Sequence, residues 1–301
     1  MNHHVVPSSR CQRAFARAAQ PALEIDSGDV VTFETTDEAY ERLWRGESPD
    51  EIPDEDYNIV TGPVVVRTAE PGDTLKIEIV DIHIRRAWAV WIPGYGPLGE
   101  LTDQLHVRPF SFSNGQITIS ERLQVPLSPM IGCIGLAPAT GTASTLEPAY
   151  PFGGNLDLRE LSVGATLFLP VQTSGAWLSI GDLHAAMGTG EPAHISLEAA
   201  GEATVRVTVE KNLRLLDPRI VLEDKTLCLS VLNEQGTIEQ AAQLATRQAF
   251  DLLVNEFLLT PFEAYAYVSA KVELRFGGPA SPIVIAVVPH PVIHRAGLTP
   301  I

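Results

Sequence analysis

Apolar and polar side chains alternate along much of this chain. In "TLKIEIVDI", Leu75, Ile77 and Ile79 interleave with Lys76 and Glu78, and in "ATVRVTVE", Val205, Val207 and Val209 interleave with Arg206 and Thr208. A period of two predicts half-buried antiparallel strands. A turn-then-strand phrase recurs three times, as "DSGDVVTFE" from Asp26, "EPGDTLKIE" from Glu70 and "SVGATLFLP" from Ser162. Each has a glycine that permits a tight turn. The phrase marks either corresponding hairpins of repeated β-units or simply common turn chemistry. Helical spacing is convincing only in the C-terminal third. "TIEQAAQLATRQAFDLLVNEF" has Thr237 as N-cap and Gln240 three residues on, with Ile238, Ala241, Leu244, Ala245, Leu252 and Leu253 at helical spacing. "TPFEAYAYVSA" repeats the device with Thr260, Pro261 and Glu263. Strands "KVELRF" and "IVIAVV" follow. The pattern predicts a mainly β protein: a β-sandwich or barrel-like body over about 1–200 that carries the site, and a smaller C-terminal α+β portion over 201–301 packed against it. The acidic stretch Arg45 to Asp56, "RGESPDEIPDED", reads as an exposed loop, since its prolines and charges do not suit packing.

Composition narrows the function. The 301 residues are 45% apolar and carry 37 acidic against 21 basic side chains, a net charge of −16. No Lys/Arg cluster is present to track a phosphate backbone, so nucleic acid and anionic membranes are not expected as partners. Cys11, Cys133 and Cys228 are widely separated and odd in number, which fits a reducing compartment rather than a disulfide framework. No apolar run reaches the roughly 18 residues that span a bilayer, and the N-terminus lacks a signal pattern. A soluble, cytoplasmic protein is expected.

The candidate chemistry lies in "GDLHAAMGTGE", Gly181 to Glu191. If "GAWLSIGDLHA" is a strand, Asp182 and His184 share a face. Ala185 and Ala186 keep the surroundings open, while Gly188 and Gly190 let the chain turn so that Glu191 swings back. Two carboxylates and an imidazole converging around a position for water suit a hydrolytic zinc-type site. The bland alternative is a salt bridge or polar surface pair. "YPFGGNLDLREL" supplies a second constellation, in which paired Gly153 and Gly154 precede Asn155 and Asp157. Its alternative is a glycine turn whose Asn and Asp bond their own backbone. His3 and His4 are expected near a terminus, with a tucked-in segment as the one way to the metal. His83, His106, His194, His290 and His294 lack acidic partners at ligand spacing and read as core or surface residues. Cys133 reads as a small core residue.

Four stretches, "NIVTGPVVVRTAEPGDTLKIEIVDI", "IGCIGLAPATG", "GGNLDLRELSVGATLFLPVQTSGAWLSIGDLHAAMGTGE" and "EFLLTPFEAYAYVSAKVELRF", together resemble the acetamidase/formamidase family, in register from about Pro21 to Pro289. The resemblance implies a β-rich fold with a smaller α+β portion, a homo-oligomer, a divalent metal site, and hydrolysis of small aliphatic amides to carboxylate and ammonia. The family's elements fall on Gly153, Gly154, Asn155 and Asp157, on Gly181, Asp182, His184 and Ala185, and on Gly188, Gly190 and Glu191. The expected roles follow from it. Asp157, Asp182 and His184 hold the metal, zinc with calcium as a second ion. Glu191 shuttles a proton, or ligates while Asp157 serves as base. Gly153, Gly154 and Asn155 bind the amide. Phe152 stands where many members have histidine, and Met187 and Thr189 where glutamine and aspartate are usual. Those departures keep open a non-catalytic metal- or amide-binding protein, or a hydrolase of a related C–N substrate such as a substituted urea.

Overall fold

The computed structural model describes residues 1–18, 20–146, 149–232, 236–277 and 283–293; His294, read above as a bland histidine, lies outside them. Strands dominate, as the alternation predicts. The Thr74–Trp91 and Leu197–Glu210 strands contain the two alternating segments and pair antiparallel from Glu198↔Trp88 to Glu210↔Thr74. Their inward residues, among them Leu75, Ile77, Val205 and Val207, are fully buried in one apolar core with Val31, Phe33, Leu167 and Ile180. A strand buried on one face and wet on the other has its register fixed by that pattern, because a slip of one residue would expose every core side chain.

The three turn phrases share one geometry. Asp29 donates its N–H to Asp26 O, Asp73 to Glu70 O and Ala165 to Ser162 O, while Gly28, Gly72 and Gly164 have φ of 96°, 91° and 90°. These are turns in which the third residue needs positive φ, and glycine meets that need without a steric cost. Each feeds a strand: Val30–Glu34, Thr74–Trp91 and Thr166–Pro170.

The main sheet continues from the body into the C-terminal part. It runs from Gly153–Asn155 through Met130–Gly135, Leu178–Ala186, Leu197–Glu210, Thr74–Trp91 and Thr166–Pro170 to Arg219–Val221, Lys225–Val231, Ile283–Pro289 and Glu273–Phe276. Residue 200, where the body was expected to end, falls inside the Leu197–Glu210 strand. Beyond it, α2 (Ile238–Asn255) and α3 (Pro261–Lys271) pack Ala241, Ala245, Ala249, Leu253 and Ala264 against Val284, Ala286 and Val288, in a core separate from that of the body. Both predicted capping boxes are formed. Thr237 Oγ1 accepts from Gln240 N at 3.2 Å while Gln240 Oε1 accepts from Thr237 N at 2.9 Å, and Thr260 and Glu263 do the same.

Two local expectations are corrected. A short helix, α1 (Glu38–Trp44), precedes the acidic stretch. Seven residues give too little periodicity to stand out, and its anchor is tertiary: Asp37 accepts from Arg86 Nε and Trp88 Nε1, each at 2.6 Å. The acidic stretch itself is not merely a solvated loop. Its 3-10 turns Pro49–Glu51 and Asp54–Asp56 flank Ile52, which is buried with Tyr40, Leu43 and Trp88.

Candidate functional site

The strand Leu178–Ala186 carries Asp182 and His184, and its neighbours complete the site. Along one edge it pairs Met130↔His184 and Cys133↔Gly181, and along the other His184↔Glu198. Glu198 is therefore the direct cross-strand neighbour of His184, a position where side chains meet. Asp157 arrives from beyond the Gly153–Asn155 strand, with its N–H and that of Leu156 both donated to Gly132 O, at 3.2 and 2.9 Å. Glu191 sits on the predicted glycine turn, its N–H bonded to Gly188 O at 3.0 Å and one carboxylate oxygen accepting from Ser196 Oγ at 2.8 Å.

These side chains converge. His184 Nε2 lies 3.3 Å from Asp182 Oδ1, 3.5 Å from Glu198 Oε2 and 3.9 Å from Asp157 Oδ1. Donor atoms of Asp157, His184 and Glu191 lie within 4.8 Å of one another, and so do those of Asp182, His184 and Glu198. Three of the backbones here are in the left-handed region, with φ of 42° at Asp157, 52° at Asp182 and 42° at Glu191. Such conformations are uncommon outside glycine and are held by their surroundings, often at functional sites. Gly132 makes room for the group. A Cβ on it would lie 2.5 Å from Asp182 Oδ2 and 2.7 Å from Asp157 Oδ1.

The electrostatics are set by crowded, buried carboxylates around one imidazole. Burial, reinforced by Glu191 and Asp182, pushes the Asp157 carboxyl well above its ordinary range. Glu198 is pushed up to about 8, chiefly by burial, with His184 opposing. Burial alone would lower His184, yet Glu198 and Asp182 beside it carry it well above the usual value. Carboxylates this close resist ionising together unless a positive charge lies between them. Within the cavity of about 590 Å³ that they floor, no lining residue among the described ones is Lys or Arg. His184 Nδ1 and Asp157 Oδ1 are buried with no hydrogen-bond partner among the described residues. One imidazole and several carboxylates, with His184 Nδ1 and Asp157 Oδ1 left unpartnered and the group closed over a glycine floor, fit a divalent ion of the zinc type.

The cavity walls differ in part from expectation. Asn155 lines it, as do Tyr40, Tyr57 and Tyr95, and burial, with Glu198 and Asp182 adding to it, pushes the Tyr40 phenol well above its ordinary value. His194, read above as bland, also lines it and meets Tyr95 edge-on with ring centroids 6.3 Å apart. Gly153 and Gly154, expected to bind the amide, do not line it. They sit in the ladder opposite Gly135 and Ile134, the Gly153 N–H is donated to Tyr150 O at 3.0 Å, and a Cβ on Gly153 would strike Ile134 O. Their role is close backbone packing. Phe152 stacks on Tyr150 with centroids 5.0 Å apart, and Phe152, Met187 and Thr189 are all absent from the cavity lining, so the three departures fall outside the donor cluster. His3 and His4 lie elsewhere, bonded to Thr32 and Asp29. Cys133 is a buried residue whose thiol contacts Thr145 O.

Sequence reasoning missed Glu198 and Tyr40. Glu198 is seven residues beyond Glu191 and outside any glycine motif; its one signal is a charge at the start of an apolar, alanine-rich strand. Tyr40 comes from the unrecognised α1 and carries no signal of its own.

A mainly β body closing a buried carboxylate–histidine cluster under a polar cavity defines an enzyme-like class. Comparison with known proteins makes it specific: the acetamidase/formamidase family model matches residues 10–147 and 137–292, and the chain belongs to that family. It is similar to the acetamidase of Bacillus halodurans, with 31% identity, a TM-score of 0.85, and coverage of 95% of this chain and 97% of that one. A predicted acetamidase/formamidase of Thermoanaerobacter tengcongensis is 28% identical, with a TM-score of 0.85 and 96% of each chain covered. A Schizosaccharomyces pombe protein provisionally named a formamidase is 27% identical over 254 residues, 64% of this chain and 62% of its own length. The chain thus matches about three fifths of that curated relative. Among the described residues no helix is long and apolar enough to cross a membrane.

Proposed function

We propose that this chain is a metal-dependent hydrolase that cleaves the C–N bond of small aliphatic amides, giving carboxylate and ammonia. The observation that carries the reading is the buried meeting of Asp157, Asp182, His184 and Glu198, with Glu191 beside them, on the floor of one cavity. The names of the similar proteins agree with it. Asp157, Asp182 and His184 would hold the ion, and Glu198, paired across the strands with His184, is added to the expected set. A divalent ion held there, zinc by its donor set, supplies Lewis-acid polarisation of the amide carbonyl and a water of lowered pKa.

The remaining steps belong to the chain. Glu191, on a turn rather than a strand and with one oxygen fixed by Ser196, takes the proton of the attacking water. It passes that proton to the nitrogen, because an amine leaves poorly unless protonated. Asn155 lines the cavity and presents an amide group suited to orienting another amide. Oligomerisation in the manner the family resemblance implies is part of the same proposal. The test is ammonia release from formamide, acetamide and propanamide by purified protein, before and after chelation and after adding zinc back. Release that disappears with chelator and returns with zinc is expected; a fully metal-loaded protein that releases none would falsify the reading.

A further inference from the structure

The cavity is larger than the smallest amides need. Formamide and acetamide would fill on the order of 100 Å³, taking roughly 30 Å³ per heavy atom as for liquid water, against about 590 Å³ available. The surplus space has a definite chemistry. Besides the floor, its wall carries Asp50 and Asp54 from the 3-10 turns, and the phenol rings of Tyr57 and Tyr95.

The two wall carboxylates are not neutralised by the protein. Nearby Arg13 and Arg42 are engaged by Asp56 and Glu47, and no ion pair joins Asp50 or Asp54 among the described residues. Tyr57 Oη is buried without a hydrogen-bond partner among the described residues although its ring lines the cavity. Wall and floor belong to one cavity, which Tyr95 lines together with Glu191, Glu198 and Asp157 of the floor and Asp54 of the wall. One divalent ion would offset only part of the negative charge of the floor and none at the wall. Aromatic faces beside carboxylates are the setting in which organic cations bind, through cation–π attraction and charge together.

We infer that the site favours amides whose acyl chain ends in a positive charge, an ammonium or guanidinium lying against Asp50, Asp54 and the tyrosines while the amide reaches the carboxylate–histidine floor. The inference rests on the amide-hydrolase reading and names its substrate class. The reaction is unchanged: the C–N bond breaks, a C–O bond forms from water, the water's proton goes to the departing nitrogen, and the cationic tail takes no part. Amides ending in a carboxylate are repelled by the same wall.

The experiment compares three amides of matched length, pentanamide, 5-aminopentanamide and glutaric acid monoamide, on the zinc-loaded protein. At low salt the cationic amide is expected to exceed the neutral one at least 10-fold in kcat/KM, with the anionic one slowest. The cationic advantage should shrink several-fold at 0.5 M salt, as exposed charge pairs are screened. In the Asp50→Asn/Asp54→Asn double variant the cationic-to-neutral ratio should fall toward one. Calorimetry on the metal-free protein gives a readout apart from turnover, with 5-aminopentanamide binding more tightly than pentanamide. Equal turnover of cationic and neutral amides, or a ratio untouched by the double variant, overturns the recognition and leaves the amidase reading standing. Tight binding of the cationic amide with no turnover of any of the three does the reverse.

Discussion

Gly132 and Glu191 show how much single residues decide here. The bare Cα of Gly132 leaves the room in which the Asp157 and Asp182 carboxylates sit close to the strand beneath them. Gly132→Ala must push Asp157 and Asp182 aside, so we expect a folded protein, unchanged in circular dichroism, whose metal affinity falls 10- to 100-fold, the range seen when the support of a ligand is lost. Retention of metal and rate would show that the floor is softer than argued. Glu191 separates catalysis from ligation. Glu191→Gln keeps its shape and its Ser196 hydrogen bond. With a shuttle role it retains metal and loses 10²- to 10⁴-fold in rate; metal lost in proportion to rate would make Glu191 a ligand instead. Two readouts on one protein, elemental analysis and ammonia release, settle it.

At the scale of elements, the clearest energetic feature is the join between body and α2. Asp217 lies just before the Arg219–Val221 strand and accepts from Gln248 Nε2 of α2 at 3.2 Å. Burial pushes its carboxyl up to about 6, against backbone and Gln248 hydrogen bonds that lower it. The native state therefore prefers the protonated form. That preference favours folding below the unfolded value near 3.8 and is lost as pH rises through about 6, an effect of at most about 3 kcal/mol and less where water reaches the group. Asp217→Asn removes it. The variant should melt higher than the parent at pH 8, with the gap closing by pH 4; melting curves that stay parallel across that range would exclude the account. The helices that meet here were legible in advance, since their capping boxes are local devices. α1 was not, because its Asp37 anchor depends on Arg86 and Trp88, some fifty residues away.

For the whole molecule, a tightly held ion contributes stability wherever only the native state binds it. At a thousandfold excess over Kd the gain is about 4 kcal/mol, which for a chain of this size means a melting point higher by several degrees. Chelation should lower it by that amount and zinc restore it. An identical melting curve for metal-loaded and metal-free protein would be incompatible with the buried cluster as the ion's place.

The sequence by itself determined what depends on near neighbours along the chain. The period-two strands, the three glycine turns, the two capped helices and the glycine-spaced swing of Glu191 were all written locally, as was the placing of Asp182 and His184 on one strand. Its family motifs also pointed to Asp157 and Asn155. Tertiary structure decided the rest. Glu198 became a partner of His184 only through strand register, Tyr40 reached the cavity only because a buried Asp37 holds its helix, and the acidic stretch became a cavity wall only because Ile52 packs beneath it. Gly153 and Gly154 lie in the ladder away from the cavity lining, and at Gly153 the neighbouring strand leaves no room for a side chain. Side chains brought together by pairing and burial carry no fixed spacing, so their chemistry is set by the fold that assembles them.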